Sequence, residues 1–360
     1  MSKVIVGMSG GVDSSVVAYL MKAAGYDVIG VTLRTWIGSK DEVSRCCEID
    51  EAKAIADKLE VSYYVRNVGE AFRDYVTKPF IDDYLNGLTP NPCVECNHYV
   101  KWAGMLEAAS AFGADYVATG HYAKVVKLPN GRFTVKQADF IEKDQTYMLY
   151  KLSQEQLSRT LMPLGGLSKA EVREIAKNAG LFVASKPDSQ EICFVPEGRY
   201  TDYIEDNSER EIPGEGNFVD EEGNILGKHK GIIHYTVGQR KGLGIAFGHP
   251  IFVKEVRTET NEVVLSEEEA IFNTEILVNN LNFMSIEDIK EGEEVKARVK
   301  VRYRHNGENA ILTRYDEDSI KVTFEKPVRA STLGQSAVFY DADSCVIGGG
   351  KICKIIKKKV

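Results

Sequence analysis

The chain of 360 residues has no apolar run approaching the 18 or more residues of a membrane span, and MSKVIVGMSGG is too short an apolar stretch for an export signal. The protein is therefore expected in the cytoplasm, with no membrane partner. Positive charge is not in excess either: 45 Lys and Arg against 53 Asp and Glu give a net charge of -8. Nothing global draws such a chain to nucleic acid, so any RNA must be held by local basic patches. A disulfide framework is also missing. Seven cysteines, an odd number at irregular spacing, do not staple a secreted fold and are read singly as buried, metal-binding or reactive thiols. No repeat with the period of a solenoid is present.

What is present reads first as alternating strands and helices. KVIVGM (3–8), residues 26–36, 61–68 and 115–120 form short apolar runs, and helical periodicity fills 15–25, 48–60, 69–87 and 100–113. Strands separated by helices of this length predict an α/β fold, with a mostly parallel sheet covered by helices on both faces. YAKVVKLPNGRFTVKQA (122–138) reads as a hairpin around an Asn-Gly turn. SKAEVREIAKNAG (168–180) reads as a helix with a serine N-cap and a closing glycine. From about residue 200 onward, strands and glycine turns predict one or two compact β units.

Between the first strand and the first helix lies SGGVDSS (9–15). Unpaired backbone N–H groups and the helix dipole favour an anion there. The stretch lacks the lysine of GxxxxGK[ST] and is not GxGxxG, which sets aside the kinase-type phosphate loop and the dinucleotide fingerprint. The remaining reading is a phosphate cradle with two glycines, the hydroxyls of Ser9, Ser14 and Ser15, and Asp13 as a carboxylate for Mg²⁺. The loop resembles the SGGxDS motif of enzymes that split ATP into AMP and pyrophosphate, which implies adenylation of a substrate oxygen. Leu33 in GVTLRTW and Gly120 in ATGHY then become candidates for meeting the nucleotide, beside their plain reading as core and turn.

NPCVEC (91–96) raises a separate question. A structural zinc site needs four ligands, and the local sequence offers Cys93, Cys96 and His98 without a second tight pair. A thioredoxin-like pair should open a helix after a strand, whereas this one follows the proline-interrupted GLTPNP. An adenylated substrate needs an attacking group, so a reactive thiol gains weight. Cys193, after the polar stretch Lys186, Pro187, Asp188, Ser189 and Gln190, is the natural second thiol. Cys46, Cys47, Cys345 and Cys353 read as structural or incidental.

Seven stretches in this order resemble the tRNA-specific 2-thiouridylase family: MSGGVDSSV (8–16), GVTLRTW (30–36), NPCVECNHYVKW (91–102), ATGHYA (118–123), KDQTYMLY (143–150), SKPDSQEICF (185–194) and HKGIIHYTVGQRKGLGI (229–245). The resemblance covers essentially the whole chain. It implies a catalytic ATP-pyrophosphatase domain of the adenine nucleotide alpha-hydrolase type over residues 1–200, a central β-rich domain over 201–275, and a β-barrel-like, tRNA-contacting domain over 276–360. It implies that ATP adenylates O2 of the wobble uridine, U34, and that sulfur then replaces the oxygen. By position, Gly7, Met8, Ser9, Gly10, Gly11, Val12, Asp13, Ser14, Leu33 and Gly120 would meet the nucleotide. Cys96 matches the nucleophile and Cys193 the thiol that carries sulfur as a persulfide, loaded by a cysteine desulfurase or a sulfur-relay protein. Transfer would leave Cys96 and Cys193 joined as a disulfide that must be reduced before the next cycle.

Cys93 stands where part of the family has aspartate. That departure opens a second route, in which Cys93, Cys96 and Cys193 ligate a [4Fe-4S] cluster. On the RNA side the resemblance places Asn91, Pro92 and Cys93 at the target base, and His121, Lys143, Asp144, Gln145, Arg302, Tyr303 and Gln335 at the tRNA. EVKARVKVRYR (294–304) would offer a basic strand face, and the glycines of 231–244 would let that segment close over the site. Two other classes remain compatible with the loop alone: an amide ligase working through adenylation, for which the cysteines are surplus, and a nonenzymatic RNA-binding protein.

Overall fold

The computed structural model describes residues 1–35, 49–187, 192–195, 199–245 and 247–356. Strands β1 (Lys3–Gly7), β2 (Asp27–Arg34), β3 (Ser62–Asn67) and β4 (Tyr116–Ala118) precede a hairpin of β5 (Ala123–Lys127) and β6 (Phe133–Gln137) and the short β7 (Thr160–Leu161). Five of these form a parallel sheet in the order β3-β2-β1-β4-β7. Alternate side chains of β1 enter different cores, as a period of two requires: Ile5 joins the cluster on one face, and Val4 and Val6 the cluster on the other. All three are fully buried, the expected signature of a sheet covered on both sides.

The helices are α1 (Val12–Ala23), α2 (Ile49–Lys58), α3 (Gly69–Phe72), α4 (Lys78–Leu85), α5 (Pro92–Glu95), α6 (Ala103–Phe112), α7 (Gln154–Ser158), α8 (Lys169–Asn178) and α9 (Tyr200–Asn207). Two expected helices differ from a regular α form. The stretch 69–87 is α3, a π-helical Arg73–Thr77 and α4, and the helix expected from residue 100 starts earlier, as π-helical Cys96–Trp102 running into α6. Apolar periodicity does not register a local change from 3.6 residues per turn, and such π segments occur often at functional sites. The expected start of α8 is borne out by a capping box: Ser168 Oγ accepts from Glu171 N at 3.2 Å, and Glu171 Oε2 accepts from Ser168 N at 2.7 Å.

Beyond α9, β8 (Gly216–Val219), β9 (Ile225–His229), β10 (Phe252–Arg257) and β11 (Glu262–Ser266) form a sheet in the order β10-β11-β8-β9. The last six strands, β12 (Phe272–Phe283), β13 (Glu294–Lys300), β14 (Glu308–Arg314), β15 (Ile320–Arg329), β16 (Ser336–Tyr340) and β17 (Val346–Ile356), close into a barrel. Closure removes the open sheet edges. The β5–β6 hairpin docks on this barrel: Thr134 Oγ1 donates to Val346 O at 2.6 Å, and Arg132 Nε donates to Met284 O at 2.9 Å. It thereby fixes the barrel to the α/β unit. Among the described residues no helix is long and apolar enough to cross a membrane.

Candidate active site

Strand order reverses beside β1, with β2 on one flank and β4 on the other, and the crevice at their carboxyl ends is where an open α/β sheet binds ligands. SGGVDSS occupies that position. Gly10 has φ +73°, a conformation that favours glycine, and Gly11 is the residue before α1. Ser14 Oγ accepts from Ser9 N at 3.1 Å, while the hydroxyls of Ser14 and Ser15 donate to Gly11 O at 3.1 and 2.8 Å. These bonds fold the loop onto the first turn of the helix. Behind it, Met8 is buried and held by Thr32 Oγ1, which donates to Met8 O at 2.7 Å; Gly7 leaves room for Met105, whose sulfur would lie 2.9 Å from a Cβ there. Leu33 is buried against Gly104, in the core under the crevice.

Asp13 is not exposed alone. Lys169 Nζ stands 2.8 Å from each of its carboxylate oxygens, and the Tyr122 hydroxyl donates to Oδ1 at 2.7 Å. Tyr122 lies within ATGHYA, whereas Lys169 falls outside the seven stretches that carry the resemblance. A signal for Lys169 did exist: it is the first residue of α8, where the helix dipole disfavours a cation, so a compensating anion was to be expected.

ATGHY joins the two halves of the site. A Cβ at Gly120 would lie 3.0 Å from both Asp13 Cβ and Ser14 N, so this glycine lets β4's following loop rest on the first turn of α1. The next residue, His121, has its ring 5.2 Å from that of Trp102, at the end of the π segment that begins with Cys96. Its Nδ1 pairs with Thr119 Oγ1 at 2.8 Å. Burial, aided by the charge of Lys101, pushes His121 down to about 3, so the imidazole is neutral.

Of the thiols, Cys93 and Cys193 are near enough to influence each other's charge. Cys96 is buried in the core cluster beneath the sheet, and Cys193 packs against the same cluster beside Phe194. Cys93, half-buried at the start of the segment, is pushed up by burial, with Lys101 opposing and Cys193 adding to the rise. The charges of Cys93 and Cys193 therefore feel one another. Arg173 donates to Ala184 O and Lys186 O, each at 2.8 Å, and so holds the end of the segment Phe182–Ser185. Asp188, Ser189 and Gln190 lie outside the described residues, as do Cys46, Cys47 and the basic tail from Lys357. Among the described residues no group of three or more His, Cys, Asp or Glu side chains is placed to hold a metal. Cys93, Cys96 and Cys193 thus do not form a ready set of cluster ligands.

The residues expected at the RNA divide into two kinds. Lys143 is partly exposed, whereas Asp144 is buried and its carboxylate accepts from Thr146 Oγ1 at 2.7 Å and Ala138 N at 3.2 Å. Gln145 Oε1 accepts from Tyr122 N at 3.0 Å. Tyr303 donates to Asp144 O at 3.2 Å, Gln335 Nε2 to Pro90 O at 3.2 Å, and the Arg302 guanidinium to oxygens inside the protein. Asn91 and Pro92 lead directly into α5. The expected basic strand is shorter than 294–304: β13 ends at Lys300, which is buried, leaving Arg302 and Arg304 in the following turn. Alternation of charge continued past the point where the barrel turns.

Three family models match the chain: a tRNA methyl transferase HUP domain over residues 2–197, a tRNA methyl transferase PRC-barrel domain over 202–267, and an aminomethyltransferase beta-barrel domain over 273–352. The tRNA-specific 2-thiouridylase MnmA of Lachnoclostridium phytofermentans is 53% identical over 362 residues, covering 98% of this chain and 100% of that one. The protein of the same name from Clostridioides difficile is 49% identical, covering 98% of each chain. Among solved structures, the U34-tRNA thiolase NcsA from Methanococcus maripaludis with its [4Fe-4S] cluster matches at 18% identity and a TM-score of 0.36, over 57% of this chain and 63% of that one, a likeness too small to carry an argument.

Proposed function

The chain belongs to the tRNA-specific 2-thiouridylase family, and from that premise we propose how its own residues divide the work of an ATP-dependent tRNA-uridine 2-sulfurtransferase. The observation that carries the proposal is the ATGHY loop, which touches the first turn of α1 through Gly120 and Tyr122 and the cysteine-bearing segment through His121. A nucleotide-activating site and a thiol site are thereby built around one short loop. The family models carry methyl-transfer names, but adenylation followed by thiol attack uses both halves of this site.

ATP lies along the SGGVDSS loop, its phosphates on the amide edge of α1. O2 of U34 attacks the α-phosphorus, the bond to the β-phosphate oxygen breaks, and pyrophosphate leaves. The Asp13 carboxylate suits a hard cation, and Mg²⁺ held there would neutralise phosphate charge. Lys169 exchanges its bond to Asp13 for the departing pyrophosphate. Gly7, Met8 and Leu33 shape the floor of the crevice.

In the sulfur step, the terminal sulfur of a Cys193 persulfide attacks C2 of the activated base. Cys96, as thiolate, then attacks the Cys193 sulfur; the S–S bond to the base breaks, AMP departs with the former O2, and a Cys96–Cys193 disulfide remains for reduction. Neutral His121 orients the base as a hydrogen-bonding group, and Asn91, Pro92 and Cys93 line its place. The persulfide comes from a cysteine desulfurase or relay protein, in the cytoplasm. Residues 1–200, 201–275 and 276–360 act as catalytic, central and tRNA-contacting units.

Replacing Cys96 or Cys193 with serine tests this division. Each variant should retain tRNA-dependent pyrophosphate release and form no 2-thiouridine. A serine variant that still thiolates removes that cysteine from the mechanism.

A further inference from the structure

The residue before Cys96 is held from two directions. Glu95 has only 13% of its side chain exposed, and Lys151 Nζ, on an equally buried side chain, donates to Glu95 Oε1 at 2.8 Å and to Oε2 at 2.7 Å. Lys351 Nζ, from β17 of the barrel, stands 3.4 Å from the same Oε1. One carboxylate thus joins a cation of the α/β unit to a cation of the barrel, at the point where α5 passes into the π-helical Cys96–Trp102.

Both cations sit on firm supports. Lys351 lies in the barrel ladder, opposite Ser336 on β16 and Asn279 on β12. Lys151 follows Tyr150, whose carbonyl accepts from Asn282 Nδ2 of β12 at 2.6 Å. The same stretch serves the rest of the cysteine segment: Asn97 Nδ2 donates to Met148 O at 3.1 Å, and Gln156 Nε2 donates to His98 O at 3.3 Å. Tyr99, whose ring centre is 5.6 Å from Lys151 Nζ, stacks on Tyr75 of the π-helical Arg73–Thr77, with 4.6 Å between centroids. Residues 95–99 are therefore laid along the stretch 148–156 and the barrel wall.

This grip lies on a different side of the winding from the thiols. Cys93 and Cys96 are three residues apart and Glu95 and Tyr99 four, so each pair shares a side and the two pairs do not. A cavity of about 520 Å³ takes Glu95, His98, Tyr99, Lys151, Asn282 and Lys351 into its lining, and neither of the two cysteines.

We propose that Glu95 is a positioning residue for Cys96: tied to Lys151 and Lys351, it fixes the rotation of the segment about its axis and so aims the thiol at the Cys193 sulfur. It rests on the proposed role of Cys96 in freeing the sulfur from Cys193. Removing the charge of Glu95 leaves two lysines facing each other with no carboxylate to hold both. Loss of aim then has a chemical signature. The Cys193 persulfide attacks C2 and AMP leaves, so the base is joined to Cys193 through an S–S bond. Cys96 thiolate attacks the Cys193 sulfur, the electron pair of the broken S–S bond goes to the sulfur on the base, and 2-thiouridine is released. With Cys96 turned aside, the reaction halts at the tRNA–S–S–Cys193 adduct.

The test gives the full chain, loaded with persulfide by one donor, ATP and unmodified tRNA for a single turnover without reductant, beside Glu95→Gln, Lys351→Met, Lys351→Arg and Cys96→Ser. Glu95→Gln should release pyrophosphate within about twofold of the wild-type rate while 2-thiouridine forms about tenfold more slowly or worse, as with other misplaced reacting groups. A tRNA–enzyme adduct should accumulate on a denaturing, non-reducing gel, and a thiol reductant should convert it to 2-thiouridine. Cys96→Ser should trap the same adduct. Lys351→Met should give the pattern to a smaller extent, and Lys351→Arg should recover the wild-type rate. Adding Lys351→Met to Glu95→Gln should cost nothing further, because both break one joint. Lys351→Met also decides the matter if Glu95→Gln does not fold.

Thiolation by Glu95→Gln at the wild-type rate would overturn the proposal. So would equal falls in pyrophosphate release and thiolation with no adduct, the mark of general damage to the fold. A Cys96→Ser variant that completes thiolation, or a wild type that forms no 2-thiouridine, sinks the sulfur-transfer reading and the positioning role with it. An adduct trapped in Cys96→Ser and absent from both Glu95→Gln and Lys351→Met sinks the positioning role alone.

Discussion

Lys169 Nζ and the Asp13 carboxylate face each other at 2.8 Å across 156 residues of sequence, tying α8 to the first turn of α1 at the mouth of the nucleotide crevice. Lys169→Met should lower pyrophosphate release by about a hundredfold, the scale on which a single group stabilising developing charge acts. Lys169→Arg should recover part of it. Rates within twofold of wild type for the methionine variant would confine the lysine to a structural pairing.

Gly120→Ala places a methyl group 3.0 Å from a backbone nitrogen and a Cβ of α1's first turn, neither of which belongs to a flexible side-chain end. The loop or the helix must shift, at a cost of about 1–3 kcal/mol. The expected outcome is a lower urea midpoint together with a raised KM for ATP. An unchanged KM would separate Gly120 from the nucleotide site.

Thr160→Val tests the support behind the cysteine segment. Trp102 Nε1 donates to Thr160 Oγ1 at 2.7 Å, with Trp102 fully buried. Losing the acceptor leaves the indole N–H unpaired in the core, at about 1–3 kcal/mol. Denaturant unfolding should register that loss, and a midpoint equal to wild type would show that the N–H finds another acceptor.

His121 sets a pH dependence of stability. Its folded value, about 3, lies below the ordinary value of 6.5, so between these the unfolded chain binds a proton that the folded chain does not. The contribution is complete above about pH 6.5 and is lost progressively as pH falls toward 3. His121→Gln should therefore flatten the stability curve between pH 6 and pH 4 relative to wild type. Parallel curves would mean that the imidazole already takes a proton in the folded protein.

Much of this was legible because it is local. Short apolar runs such as Val4–Ile5–Val6, the Ser168 cap and the Asn130-Gly131 hairpin turn are written in adjacent residues, and the glycine loop carries its own conformational requirement at Gly10. The cysteines were identifiable by type and by resemblance. What was hidden depends on the return of distant chain: the Lys169–Asp13 pair, the seating of Gly120 on α1, and the inward turn of Arg302. The winding at Cys96–Trp102 was hidden for another reason, since its apolar spacing fits an α-helix nearly as well as a π-helix.

The proposed role of Cys193 is to carry the sulfur that enters the base. Iron-free enzyme should be loaded with one sulfur atom at Cys193, verified by the mass of the corresponding peptide, and given ATP and unmodified tRNA for a single turnover without further donor. The expected result is 2-thiouridine in proportion to the loaded chains, pyrophosphate in equal amount, and a Cys96–Cys193 disulfide in the spent protein. Pyrophosphate release with no 2-thiouridine, restored only when iron and sulfide are supplied, would contradict it.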